Sequence, residues 1–179
     1  MLSLDDAVLL VVDFQDGLLP RIQAGDAAMD RSVKLIRFAR ELDVPIVWTE
    51  QYPKGLGRTN EKVAAELDGL DPIEKVSFGC FGEPAFVASL AATKRTQLLV
   101  VGIETHVCVL QTVLAGMERG YEAFVARDAV GSRHACDYEA GLARMAANGV
   151  QLVSVEMAMF EMLREAGTPE FKKVLPLIK

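Results

Sequence analysis

The chain has no long hydrophobic run, few cysteines and no block of basic residues, and each shortage closes off a class of protein. Its longest apolar stretches, Ala7–Val12 and Leu98–Val101, fall far short of the roughly 18 residues a membrane-spanning helix needs. This holds despite a mean hydropathy of +0.22. The opening Met1-Leu2-Ser3-Leu4-Asp5-Asp6 carries neither a basic n-region nor a cleavage site behind an apolar stretch, so a cytoplasmic location is expected over export. Lys and Arg total 19 against 25 Asp and Glu, interspersed, for a formal net charge of −6. That balance offers no patch for nucleic acid or an anionic membrane. The 3 cysteines include no C-x-x-C pair, so no disulfide framework is implied. No Gly-rich run follows the first apolar stretch, where a dinucleotide fingerprint would sit. What remains is a chain of 179 residues, 51% hydrophobic and 25% charged: one globular domain spanning 1–179 with a substantial core.

Short β-branched runs alternate with helical patterns. Ala7–Val12 is apolar on both faces, as a central parallel strand covered by helices on both sides must be. Further strands are predicted at Ile46–Thr49, Ile73–Val76, Gln97–Val101, Tyr121–Ala126 and Val150–Val155. A helix capped by Asp30 is expected to run to about Asp43, and others cover Asn60–Leu67, Pro84–Lys94, Thr105–Gly120, Cys136–Asn148 and Thr168–Lys179. In the Thr105–Gly120 helix, Val107, Leu110, Leu114 and Met117 form the expected inward stripe. This alternation predicts an α/β fold: a three-layer α/β/α sandwich around a doubly wound, six-stranded parallel sheet.

Ligands of open α/β sheets bind beyond the carboxyl ends of the strands, so the residues just after each strand carry the interest. Asp13-Phe14-Gln15 follows the first strand, Glu50-Gln51-Tyr52 the second, Lys75-Val76-Ser77-Phe78 the third, and Gly102 to Cys108 the fourth. Cys108 falls in a first helical turn, where the macrodipole lowers a thiol's pKa, and an ammonium at Lys75 would lower it further. A carboxylate at Asp13 is suited to carry the thiol proton. Taken singly, Cys108 is as well read as a buried small hydrophobe, Asp13 as a cap and Lys75 as a solvated lysine.

These stretches, with Gly102-Ile103-Glu104-Thr105-His106-Val107-Cys108-Val109, Arg119-Gly120-Tyr121 and Asp128 to Arg133, resemble the isochorismatase-like cysteine hydrolases over nearly the whole chain. Thr49 to Gly57 and Glu170-Phe171-Lys172-Lys173 are most similar to the isochorismatase-domain-containing subgroup. The resemblance implies an Asp-Lys-Cys catalytic triad at Asp13, Lys75 and Cys108. It also implies a non-proline cis peptide between Ile103 and Glu104, with an oxyanion hole formed by the backbone N–H groups of Glu104 and Cys108. The implied activity is hydrolysis of a small amide or carbamoyl substrate through a covalent intermediate on Cys108. Where nicotinamidases of this family carry a metal-binding Asp-x-His pair, this chain has Glu50-Gln51-Tyr52, so neither a metal nor a cofactor is expected. Isochorismatase itself lacks the cysteine, which favours C–N over vinyl-ether hydrolysis.

Phe14, Tyr52 and Phe78 are expected to wall the pocket, with Gln15 and Gln51 as polar substrate contacts. His106-Val107-Cys108 and His134-Ala135-Cys136 hold zinc-type ligands, but i and i+2 on a helix do not share a face. Cys80 and Cys136 are read as structural or incidental, and Arg133 as a loop anchor. Phe171, Val174, Leu175, Leu177 and Ile178 crowd the tail, an apolar excess that predicts a homo-oligomer. Two other readings stand beside the enzyme: a catalytically lapsed binding or scaffold protein of the same fold, and a redox-active thiol at Cys108.

Overall fold

The computed structural model describes residues 1–178. Its strands are β1 (Ala7–Val12), β2 (Ile46–Gln51), β3 (Ile73–Lys75), β4 (Gln97–Ile103), β5 (Glu122–Gly131) and β6 (Gln151–Val153). All pairings are parallel, in the order β3-β2-β1-β4-β5-β6. The winding therefore reverses between β1 and β4, and this is the switch point where such sheets open a crevice. The helices are α1 (Gly25–Glu41), the single turns α2 (Pro53–Leu56) and α3 (Glu61–Ala64), then α4 (Pro84–Ala92), α5 (Leu110–Met117), α6 (Ala135–Ala147), α7 (Val155–Leu163) and α8 (Pro169–Ile178).

The period of two along each central strand divides the interior into two cores. Ala7, Leu9 and Val11 of β1, with Leu99, Val101, Phe124 and Ala126, pack under α1, α7 and α8. Val8, Leu10 and Val12, with Leu98, Val100, Ala123 and Val125, pack under α4, α5 and α6. Both faces of the sheet are thus covered, which gives the three-layer architecture. Among the described residues, no helix is long and apolar enough to cross a membrane.

Four local expectations are corrected. Helix α1 begins at Gly25, not after Asp30, because Ala28, Met29, Ser32 and Val33 already bury one face; Asp30 instead pairs with Lys62 across the surface. The fully buried face behind β4 is Cys108, Val109, Thr112, Val113 and Gly116, whereas Val107, Leu110, Leu114 and Met117 of the expected stripe are half-buried and pack along the edge of the same core. A wide π-helical turn at Thr105–Val109 leads into α5. The Val150–Val155 run breaks at Ser154, whose hydroxyl accepts a hydrogen bond from Met157 N–H and starts α7. Finally, the tail is not an open apolar surface. In α8, Val174 is buried and Phe171, Leu177 and Ile178 pack on the α1-side core; Lys179 lies outside the described residues.

Candidate active site

Asp13 follows β1 with φ +54°, a left-handed conformation that aspartate tolerates better than most residues. Its carboxylate is fully buried. Thr49 of β2 stands beside Val12 in the ladder, and its hydroxyl donates to Asp13 Oδ1 at 2.7 Å. Lys75, the last residue of β3, reaches across β2 so that Nζ donates to Asp13 Oδ2 at 2.7 Å and to Gln51 Oε1 at 2.8 Å. The carbonyls of Phe78 and Ser77 lie at 3.0 and 3.3 Å from the same nitrogen. With four acceptors for three protons, the ammonium is wholly consumed inside the protein.

Cys108 comes from the other side of the switch point, on the wide turn after β4, and is 5% exposed. Gly102 makes the approach possible. Its φ is +139°, the β4–β5 register shifts there, and a Cβ would stand 2.2 Å from the Val12 carbonyl oxygen. Only glycine allows the ends of β1 and β4 this close. The Ile103–Glu104 peptide is cis. The Glu104 carboxylate, buried, accepts from Arg133 N–H and Nε at 3.0 Å each. Asp13, Lys75 and Cys108 are therefore gathered at the carboxyl edge of the sheet.

The resting thiol is protonated, which corrects the expectation of a lowered pKa. Burial first, then the Asp13 charge, pushes the Cys108 thiol well above the ordinary thiol range, against a smaller pull from Lys75. Around a cysteine on so short and wide a turn, desolvation outweighs the dipole. Burial is the largest single influence on the Lys75 ammonium and works against it, but the Asp13 charge and hydrogen bond together with the neighbouring Cys108 and Cys80 outweigh it, and its pKa stands above the ordinary lysine value. Buried Cys80 is likewise pushed up, to about 11, by desolvation.

The expected pocket residues sort into three groups. Tyr52 and Phe78 are 53% and 56% exposed and form an apolar rim together with Val76. Phe14 is core, packed on the α1 side. Gln15 and Gln51 are occupied by the protein itself. Gln15 Nε2 donates to the carbonyls of Gln51 and Gly57, and its Oε1 accepts Gln51 N–H at 2.7 Å. Gln51 spans from Lys75 Nζ to the Val76 carbonyl. Both amides hold the backbone and the ammonium in place, not a ligand. Glu50 does not suit a metal: its oxygens take Thr59 N–H and hydroxyl and Arg58 Nη1 at 2.7, 2.9 and 2.8 Å. Among the described residues, no three His, Cys, Asp or Glu side chains cluster as a metal site. Arg133 anchors the β5–α6 loop to Glu104.

Two participants escaped the sequence reading. Thr49 orients Asp13, a role visible only once the β1–β2 register is known. The Thr112 hydroxyl accepts Cys80 N–H at 3.0 Å and donates to the Cys108 carbonyl at 2.6 Å, stitching the lysine-bearing loop to the thiol-bearing turn.

A model of the isochorismatase domain matches residues 7–157. The chain belongs to the isochorismatase domain family. It is similar to isochorismatase domain-containing protein 2A of Mus musculus, 35% identical over 176 residues that cover 98% of this chain and 84% of that protein. Among solved structures it is similar to MAR1 ribonuclease of Caenorhabditis elegans, with 34% identity, a TM-score of 0.93, and coverage of 99% of this chain and 91% of that one. It is also similar to the YcaC gene product of Escherichia coli, an octameric hydrolase of unknown specificity, with 26% identity, a TM-score of 0.92, and coverage of 98% and 88%. The isochorismatase-family hydrolase fold is thus established over nearly the whole chain.

Proposed function

We propose that this isochorismatase-family chain is a cysteine hydrolase cleaving the C–N bond of a small amide or carbamoyl compound. The reading is carried by one observation: a fully buried Asp13–Lys75 ion pair, bonded at 2.7 Å, at the same sheet edge as the buried Cys108 on the other side of the switch point. Asp13 takes the thiol proton as Sγ bonds to the carbonyl carbon and the C=O electron pair moves onto oxygen. The backbone N–H groups of Glu104 and Cys108 hold that oxyanion. Its collapse expels the amine, which leaves with the proton from Asp13. A water then gives its proton to Asp13 and attacks the thioester-like carbon; Sγ leaves and recovers the proton, and the acid is released. Lys75 keeps Asp13 oriented and offsets the negative charge that develops on sulfur. No step calls on a metal or cofactor.

The three free cysteines suit a reducing, cytoplasmic setting. The octameric YcaC relative and the exposed Met1, Met157 and Phe160 support a homo-oligomer. The net charge of −6 favours a small molecule over a polynucleotide. Screening amides and carbamoyl compounds for ammonia release tests the chemistry. Turnover should fall by about 10⁴-fold or more in Cys108→Ala and Asp13→Asn and survive exhaustive chelation. Full activity in Cys108→Ala would sink the reading.

A further inference from the structure

Apart from Lys54, the cations around the site are paired. Lys75 is paired with Asp13, Arg133 with Glu104, and Arg58 bridges Glu50 and Glu74 at 2.8 and 2.7 Å. Lys54 shares a rim cleft of about 290 Å³ with Glu74 and Glu83. His106 meets Ser132 through Nδ1 at 3.0 Å and stands 3.9 Å from Asp137. With Cys108 protonated, the triad carries no net charge. The polar atoms left over near the site are neutral: Ser77 Oγ, two residues beyond Lys75, and Thr105 Oγ1, next to Glu104, are buried without a hydrogen-bond partner. The rim above them is apolar, with Val76 77% exposed beside Tyr52 and Phe78.

From this charge inventory we infer that the substrate bears no anionic group: it is a neutral amide or carbamoyl compound with an apolar acyl portion. The inference rests on the cysteine-hydrolase reading above and narrows it. A carboxylate brought to Cys108 would lose its hydration, find Lys75 and Arg133 already paired and Lys54 sharing its cleft with the carboxylates of Glu74 and Glu83, and approach the buried Asp13 charge. A neutral amide incurs no such penalty. Its hydrocarbon part matches the exposed Tyr52, Val76 and Phe78.

Iodoacetamide and iodoacetate, which differ in charge but little in size, test this directly at Cys108. Alkylation rates at Cys108 and at exposed Cys136 are followed by peptide mass mapping in the full chain, each divided by the reagent's rate with free glutathione. The normalised amide-to-acid ratio at Cys108 should exceed that at Cys136 by about tenfold or more. A ratio at Cys108 equal to or below that at Cys136 overturns the inference. Turnover supplies a second arm: kcat/KM for hexanamide should exceed that for the monoamide of adipic acid by about tenfold, whereas preference for the acid overturns the inference and leaves the hydrolase reading intact. Failure to hydrolyse any amide sinks the hydrolase reading instead, and the alkylation ratio then decides the charge question alone.

Discussion

The two halves of the sheet meet at the β1–β4 switch point and furnish the site in opposite ways. On the β1–β2–β3 side the work is done by side chains: Asp13, Thr49, Gln51 and Lys75 are buried, and each hydrogen-bonds to at least one of the others. On the β4–β5 side it is done by backbone: Gly102 permits the approach, the chain turns through Ile103–Glu104, and a wide turn presents Cys108. Charge placed in a dry interior must be matched group by group. A thiol kept neutral needs only to be held in position. The first half should therefore respond to substitution as a unit, and the second through shape.

The largest effect should come from unbalancing the charged half. Lys75→Met keeps the bulk of the side chain but strands the Asp13 carboxylate with the Thr49 hydroxyl as its remaining side-chain donor, a loss of about 3–5 kcal/mol of stability. Combining it with Asp13→Asn removes both charges, and the double variant should regain most of the loss. Urea unfolding of the four chains reads the coupling. If the double variant is no more stable than Lys75→Met alone, the two residues do not act as a pair and the contrast between the halves fails.

The same contrast accounts for what could be read in advance. Residue identities at strand ends are enough to bring Asp13, Lys75 and Cys108 to one edge, because the continuous apolar run Ala7–Val12 and the β-branched runs that partner it mark where the strands stop. The backbone half was opaque. Nothing in Thr105-His106-Val107-Cys108-Val109 announces a wide turn, and its composition points to a helix dipole acting on a thiol where burial in fact dominates. Gln15 and Gln51 looked like substrate ligands because polar residues at a sheet edge usually are; their true partners lie in the 51–57 loop and at Lys75, too far away in sequence for spacing to reveal. Gly102 did carry a signal, a lone glycine at the end of an apolar strand.

A smaller effect appears with pH. Lys75, Cys80 and Cys108 all have folded-state pKa values raised above the ordinary ones. A group raised by folding contributes stability that is fully present below its unfolded pKa and is lost as the pH climbs toward the folded value, because there the unfolded chain has released a proton the native one retains. For Cys80 the window runs from 9.0 to about 11; the Cys108 loss begins at the same thiol value and continues above it. Urea midpoints should therefore hold steady up to about pH 8.5 and decline above pH 9. Cys80→Ala should flatten the decline without abolishing it, since the Cys108 share persists. A midpoint that rises above pH 9 would mean the thiols are ionised in the native state and would erase the neutral-thiol half of the contrast.

The subtlest test is aimed at the seam between the halves. Thr112 belongs to α5, yet its hydroxyl joins Cys80 N–H of the lysine-bearing loop to the Cys108 carbonyl of the thiol-bearing turn. Thr112→Val preserves the shape and leaves a buried N–H without its acceptor, which costs about 1–3 kcal/mol. Thr112→Ser restores the hydroxyl and sacrifices only a methyl group, so it should recover the larger part of the loss. Since the hydroxyl also holds the Cys80 pKa down somewhat against burial, Thr112→Val should lower the whole curve and shift the Cys80 share of the alkaline decline slightly upward in pH. If Thr112→Val matches the wild-type midpoint, the two halves are joined only by the strand ladder, and the close approach at Gly102 alone aligns Cys108 with the Asp13–Lys75 pair.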